Sequence, residues 1–228
     1  MRILVISAHP DDEVLGCGGA IARWSTAGHE LFVAILGEGF SARYRQSDMP
    51  EDSRREQERL YENSRNVSKF LGVKELFQFR YPDNRFDTVP LLEIVQCIES
   101  VLNKTRPHAV YTHHGGDLNI DHVITFRAAM TATRPLATCS VTELYTYEVP
   151  SASDWSFGCF TPSFKPNVFV DIRETIEAKI TAMEMYDSET RPFPHPRSPE
   201  YLRANARRWG GVTGLPAAEA FELVRQIK

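Results

Sequence analysis

Two short strand-like runs, Ile3-Leu4-Val5-Ile6 and Ala109-Val110-Tyr111-Thr112, each break into a turn dense in histidine and aspartate, then into a helix-period segment. A buried strand followed by a turn and a helix is the repeating unit of open α/β sheets, which place ligands beyond the carboxyl ends of their strands. The first turn, Ser7-Ala8-His9-Pro10-Asp11-Asp12-Glu13, carries one imidazole and three carboxylates within five residues. The second, His113-His114-Gly115-Gly116-Asp117-Leu118-Asn119-Ile120-Asp121-His122, holds three of the seven histidines in the chain. The pattern predicts a mostly parallel sheet flanked by helices, with both turns at one edge.

Within the first turn, His9 and Asp12 are spaced to offer an imidazole nitrogen and a carboxylate oxygen to one divalent ion. Asp11 is then left free beside that ion. The plain alternative is that the three acids only favour the first turn of a helix, with Asp11 or Asp12 as its cap. That account leaves His9-Pro10 unexplained, because the proline fixes an extended backbone and a strand end needs no imidazole. His122 alone would be a polar residue at a helix start; beside His9 and Asp12 it reads as a third ligand. Two imidazoles and one carboxylate leave a coordination position open, as in catalytic zinc sites. The same set also describes the facial triad of non-haem iron oxygenases, against which the βα pattern and the free acid both argue.

Between and beyond these turns the chain alternates in the same way. A helix runs from Val14 through Ile21 and Trp24 toward Gly28. Its Gly16-x-Gly18-Gly19 lacks both the GxGxxG order and the lysine of a phosphate-binding loop. Glu30 to Leu36 and Lys74 to Phe79 read as strands, and Asp52 to Leu71 and Pro90 to Leu102 as helices, the latter burying Leu91, Leu92, Val95, Ile98 and Leu102. Gly37 to Pro50 is a polar loop long enough to cover a site. Asp83, in Tyr81-Pro82-Asp83-Asn84-Arg85, either closes an Asx turn or reaches the crevice. Leu144 to Tyr147 and Val168 to Ile172 are further strands, Glu174 to Tyr186 a helix, and Ala218 to Val224 a last strand or helix. The proline-rich loop Arg191 to Ser198 brings His195 either to the site or to the surface.

The 228 residues, 42% of them hydrophobic, suffice for one sizeable core, and no linker divides them, so one domain spanning 1–228 is expected. The net charge of −4 and the scattered basic residues exclude a nucleic-acid footprint. The first strand begins at Arg2 and no run reaches membrane-spanning length, which predicts a cytoplasmic protein. Cys17, Cys97, Cys139 and Cys159 form no close pair and read as reduced core residues.

The motif His9-Pro10-Asp11-Asp12-Glu13, paired with Asp121-His122 after a strand ending Tyr111-Thr112-His113, resembles the LmbE-like (PIG-L) family of zinc-dependent N-deacetylases. The resemblance extends to Asp117-Leu118-Asn119-x-Asp121-His122, to His195-Pro196-Arg197-Ser198 and to Ala218-Glu219-Ala220-Phe221, nearly the whole chain. It implies a Rossmann-like fold and removal of acetyl groups from N-acetylglucosamine units of glycolipids, thiol precursors, chitooligosaccharides or antibiotic intermediates. It further implies that His9, Asp12 and His122 bind zinc and that Asp11 is the general base. One departure stands out: many members carry a histidine two residues before the motif's aspartate, where this chain has Asn119. An amide can donate a hydrogen bond to an oxyanion but delivers no proton, which leaves Asp11, once protonated, or His195 to protonate the leaving amine. Asp121, without that histidine to orient, becomes a helix cap or a partner of a metal ligand.

The resulting expectation is a zinc hydrolase acting on an N-acetylated amino sugar, with Asp11, His195 and Asn119 in catalysis and Asp83, Arg85, His113 and Asp117 around the substrate. An amidase of a related conjugate, and a sugar-binding protein that retains the metal without activity, are the alternatives. Arg43, Arg45, Arg54 and Arg85 could meet a phosphate or nucleotide on the sugar, or be simply exposed. Trp155, Phe157 and Phe160 suit a substrate wall or a contact between subunits of a homo-oligomer.

Overall fold

The computed structural model describes residues 1–44 and 53–228. Seven strands form one sheet: β1 (Arg2–Ser7), β2 (Glu30–Gly37), β3 (Glu75–Tyr81), β4 (Ala109–His113), β5 (Glu143–Tyr147), β6 (Val168–Asp171) and β7 (Ala218–Gln226). Their order is β3-β2-β1-β4-β5-β7-β6. The first five strands run parallel, and β7 lies antiparallel between β5 and β6. The chain thus steps outward from β1 to β2 and β3, then returns across β1 to build β4 and β5. That reversal opens a crevice at the carboxyl ends of β1 and β4, where such sheets bind ligands.

Side chains alternate along each strand between two cores, as the two-residue period requires. Ile3, Val5, Leu31, Val33, Ile35 and Tyr111 face a layer that includes Val14, Ile21 and Ile180. These come from α1 (Asp12–Thr26) and α5 (Ile176–Glu184), and α2 (Ser53–Phe70) adds Val67. Leu4, Ile6, Phe32, Ala34 and Val110 face the other layer, built by α3 (Leu91–Thr105) and α4 (Ile120–Ala132). Helix α6 (Pro199–Thr213) packs Ala206 against Ile172 and Ala217 in a small third cluster beside β6.

The elements fall close to the expected bounds, with informative differences. In α3 the buried face is Ile94, Val95, Ile98, Val101 and Leu102, while Leu91 and Leu92 are 42% and 64% exposed. Both leucines sit in the first turn of that helix, ahead of its buried face. The closing segment is a strand, held between β5 and β6. Cys17 is buried as expected, whereas Cys159 is exposed and Cys97 and Cys139 are half-buried; all four are free. The expected loop over Gly37 to Pro50 begins with a 3-10 turn at Ser41–Arg43, and Arg45 lies outside the described residues, as does the Arg43 side chain. Among the described residues no helix is long and apolar enough to cross a membrane.

One glycine positions the site directly. A Cβ at Gly16 would lie 2.2 Å from the Tyr147 ring, so only glycine lets α1 press this closely against β5. The Tyr147 hydroxyl donates to the Ile6 carbonyl oxygen at 2.9 Å. The start of α1 is thereby fixed over the end of β1, where the first histidine-bearing turn begins.

Candidate active site

The β1–α1 turn holds Asp11 at φ 102°, ψ −27°, a left-handed conformation that aspartate rarely adopts. Asp11 stands at the cap position of α1, yet its side chain caps nothing. Its Oδ2 instead accepts from Arg197 Nη1 at 2.9 Å. The helix-start account of these acids therefore fails for Asp11. Such local strain persists only where surrounding contacts hold it, and it concentrates at functional sites. Asp12 turns inward: its Oδ2 accepts from the His9 backbone N–H at 2.8 Å and lies 3.3 Å from His122 Nε2 and 3.4 Å from His9 Nδ1.

The second turn arrives from β4. His122 is buried in the first turn of α4, with Nε2 toward Asp12 and Nδ1 3.2 Å from Asp117 Oδ2. Ser153 Oγ donates to the same Asp117 oxygen at 3.0 Å. The cap of α4 is Asn119, whose Oδ1 accepts from the Asp121 N–H at 2.9 Å. Asp121 is therefore not the cap. Its Oδ2 lies 2.9 Å from His9 Nε2, and the amides of Asn84 and Phe86 donate to its two oxygens at 2.6 and 2.9 Å. Asp83, also buried, comes within 3.2 Å of His9 Nε2. Of its two expected roles, the structure gives Asp83 the one in the crevice.

His9, Asp12 and His122 bring three ligand atoms within 4.8 Å of one another, and His9, Asp83 and Asp121 form a second such group. The electrostatics of the first group fit a cation. Burial alone would lower the pKa of His9, but hydrogen bonds to Asp12, Asp121 and Asp83 override it and hold the pKa well above the ordinary value. His122, equally buried, is pushed up to about 9 by the charges of Asp12 and Asp117. Asp12 is held well below the carboxylate range: burial opposes ionisation, and the neighbouring His122 and His113 outweigh it. The cluster thus draws positive charge into a buried site. Asp12 Oδ1 is buried without a hydrogen-bond partner among the described residues, an oxygen that a bound ion would satisfy. Both imidazoles have their other nitrogen against a carboxylate, the usual support of metal-ligating histidines.

Asp11 behaves differently. Burial raises its pKa well above the ordinary value, with Arg197 opposing and Asp12 adding to the rise. It lines an open pocket of ≈ 300 Å3 together with His9, Asp83, Asn119, Glu189 and Arg197. Arg197 also donates to Glu189 Oε2 at 3.2 Å and to Ser151 Oγ at 3.3 Å. The sequence assigns no role to Arg197 or Glu189, although Arg197 belongs to the His195-Pro196-Arg197-Ser198 motif.

The other expected residues fall into place unevenly. His195 turns its ring edge-on to Trp155, centroids 5.2 Å apart, and its Nδ1 accepts from the Arg197 backbone N–H. From that loop it is Arg197, two residues on, that reaches Asp11. The expectation that His113 and Asp117 touch substrate meets their burial. His113 is 0% exposed, its Nε2 accepts from the Ala8 N–H at 2.8 Å, and its ring stacks on His122 at 3.9 Å. Asp117 is 3% exposed and spent on His122, Ser153 and the Asn119 amide. Both support the ligands from behind. Arg54 and Arg85 are exposed, and Arg85 lies outside the pocket lining.

Comparison with known proteins points one way in sequence and more broadly in fold. An uncharacterized deacetylase, YaiS, of Escherichia coli is 29% identical over 82% of this chain and 90% of its own. The diacetylchitobiose deacetylase of Thermococcus kodakarensis is 24% identical over 99% of this chain and 84% of its own. In structure, the 4-carboxy-2-hydroxymuconate hydratase GalB of Pseudomonas putida superposes with a TM-score of 0.76 at 20% identity, covering 100% of this chain and 97% of that one. That match shows a shared fold, which hosts more than one reaction. The family model for GlcNAc-PI de-N-acetylase matches residues 4–133, more than half of the chain and both ligand-bearing turns, and the chain belongs to this PIG-L family.

Proposed function

We propose that this protein is a zinc-dependent hydrolase that removes the acetyl group from an N-acetylated amino sugar. The observation that carries the proposal is the buried His9–Asp12–His122 group with Asp11 set beside it, ionically anchored and facing the same pocket. His9, Asp12 and His122 would hold the ion. Zinc bound by them supplies Lewis-acid polarisation of the acetamide carbonyl and acidifies the attacking water.

The chain's own residues account for the rest of the reaction. Arg197 fixes Asp11 through Oδ2, which leaves Oδ1 to take the proton from the water that attacks the carbonyl carbon. Asn119 uses Oδ1 as a helix cap, so its Nδ2 is the end that can donate to the carbonyl oxygen as negative charge develops there. The protonated Asp11 then passes its proton to the amine as the C–N bond breaks, giving acetate and the free amino sugar. Asp11 is favoured over His195 for this transfer. Burial, together with the positive charges of Arg197 and Arg191, lowers the His195 pKa and disfavours the charged form that would donate a proton, and its ring is engaged with Trp155.

The curated relative from Thermococcus, a diacetylchitobiose deacetylase, supports the substrate class. The test is acetate release by the zinc-loaded protein from free, phosphorylated, nucleotide-linked and oligomeric N-acetylhexosamines. Release from any of these supports deacetylation. Silence across the panel, with zinc bound and the sugars binding tightly, would favour a binding protein without activity.

A further inference from the structure

We propose that Glu13 and Tyr186 are positioning residues for the base: together they hold the backbone of Asp11 in the left-handed conformation that presents its carboxylate to the pocket. This deepens the deacetylase reading and rests on it for the reaction that Asp11 serves. Asp11 stands at φ 102°, with both backbone polar groups engaged. Its carbonyl oxygen accepts from the Val14 and Leu15 amides at 3.0 and 2.9 Å, the ordinary bonding of a helix start. Its N–H donates to Glu13 Oε2 at 3.2 Å. Tyr186, just beyond α5, donates from its hydroxyl to Glu13 Oε1 at 2.6 Å. Glu13 thus accepts through both oxygens, one turned to the strained residue and the other to the end of α5.

A helix start gives no reason for this arrangement. The dipole favours an acid in the first turn by a small amount at an exposed position, whereas Glu13, Tyr186 and Asp11 are all buried. A buried carboxylate is costly unless donors surround it, and an apolar side chain at position 13 would avoid that cost. What an apolar side chain could not supply is an acceptor for the buried Asp11 N–H.

Both contacts that reach Asp11 start from one place. The Tyr186 carbonyl oxygen accepts from the Glu189 and Thr190 amides at 2.8 and 3.0 Å. Glu189 in turn accepts from Arg197, and Arg197 donates to Asp11 Oδ2. A closed circuit therefore runs from the Asp11 amide through Glu13, Tyr186, Glu189 and Arg197 back to the Asp11 carboxylate. Arg197 aims the carboxylate, and Glu13 fixes the backbone that carries it. A residue keeps a sparsely populated conformation only while its surroundings over-determine it. Without the Glu13 acceptor the turn relaxes and the carboxylate leaves its place beside the attacking water, and a misplacement of about 1 Å can cost about 100-fold in rate.

The test compares zinc-loaded Tyr186→Phe, Glu13→Gln and Glu13→Ala with the wild type. The measurements are kcat and KM for acetate release, zinc stoichiometry, and exchange of the Asp11 amide proton followed by NMR. Tyr186→Phe removes one oxygen and leaves the ring in its packing. It should lower kcat about tenfold or more with KM and zinc content unchanged, and speed exchange of the Asp11 amide. Glu13→Ala should do at least as much, and Glu13→Gln, whose carbonyl can still accept from the Asp11 N–H, should lose less. Adding Tyr186→Phe to Glu13→Ala should change little further, since both act through one carboxylate. Should Glu13→Ala fail to fold, the near-isosteric Tyr186→Phe and Glu13→Gln carry the test. A Tyr186→Phe enzyme that is less stable to denaturant yet keeps the wild-type kcat would overturn the proposal. Loss of zinc in that variant would also overturn it, since Tyr186 would then support the metal and not the base. If the wild type releases acetate from no N-acetylhexosamine, the deacetylase reading fails first and amide exchange decides the rest. Faster exchange at Asp11 in Tyr186→Phe then supports the positioning role, and unchanged exchange overturns it.

Discussion

Two groups of buried charges lie against α1, one at its start and one along its middle, and they are built on opposite terms. Lys179 on α5 and Glu219 on β7 pair at 2.6 Å, both nearly inaccessible to solvent. Glu219 also accepts from the Gly19 and Ala20 amides at 3.0 and 2.7 Å, and Lys179 donates to the Leu15 carbonyl at 2.7 Å. Each charge there has its partners, and the pair fastens α1, α5 and β7 together. At the other group, Asp11 is strained and tied at one oxygen, and Asp12 keeps an oxygen without a partner among the described residues. The contrast separates a structural ion pair from a reactive centre: satisfied charges fix the fold, and unsatisfied ones wait for a ligand.

The sharpest way to break this comparison is to remove a ligand. Asp12→Ala, or a chelator on the wild type, should take turnover to background, with zinc restoring only the wild type; acetate release against added zinc checks both. Next in size, Asp11→Asn should lower kcat by about 10²–10⁴-fold. That variant should keep its zinc, so a metal analysis beside the kinetics distinguishes loss of the base from loss of the ion.

At the satisfied pair the effect should move from catalysis to stability. Lys179→Met leaves the Glu219 carboxylate buried without its cation and should cost about 3–5 kcal/mol in denaturant unfolding. The double variant Lys179→Met with Glu219→Leu should recover much of that loss. Activity per folded molecule should change little in either, and a large fall in kcat would erase the distinction drawn here. The smallest change is expected for Arg197→Lys, which keeps the charge beside Asp11 but loses the planar fork that also reaches Glu189 and Ser151. A fall of about tenfold in kcat, equivalent to about 1.4 kcal/mol, would mark Arg197 as the residue that positions the base.

Strands and helices were legible wherever burial imposes a period. The runs at Ile3 and Ala109 had few alternatives, and the His9–Glu13 and Asp117–His122 turns stood out because a strand end has no ordinary need of imidazoles. The closing segment from Ala218 was ambiguous because its alternation fits either a strand or one helix face, and only its pairing with β5 and β6 decides. Sequence periodicity likewise placed Leu91 and Leu92 inside, whereas the buried face of the helix begins one turn later, at Ile94. Side-chain direction in loops was least accessible. Nothing in Pro194-His195-Pro196-Arg197 tells that the arginine turns to Asp11 while the histidine turns to Trp155. The role of Asp121 at the start of α4 depended in the same way on Asn84 and Phe86, which approach from a loop more than thirty residues earlier.

The most direct test of the central claim is zinc stoichiometry by calorimetric titration of the metal-free wild type, Asp11→Asn and Asp12→Ala proteins. One tight equivalent in the first two and none in the third is the predicted result. A tight equivalent retained by Asp12→Ala, or none taken up by the wild type, would contradict the assignment of His9, Asp12 and His122 as the metal centre.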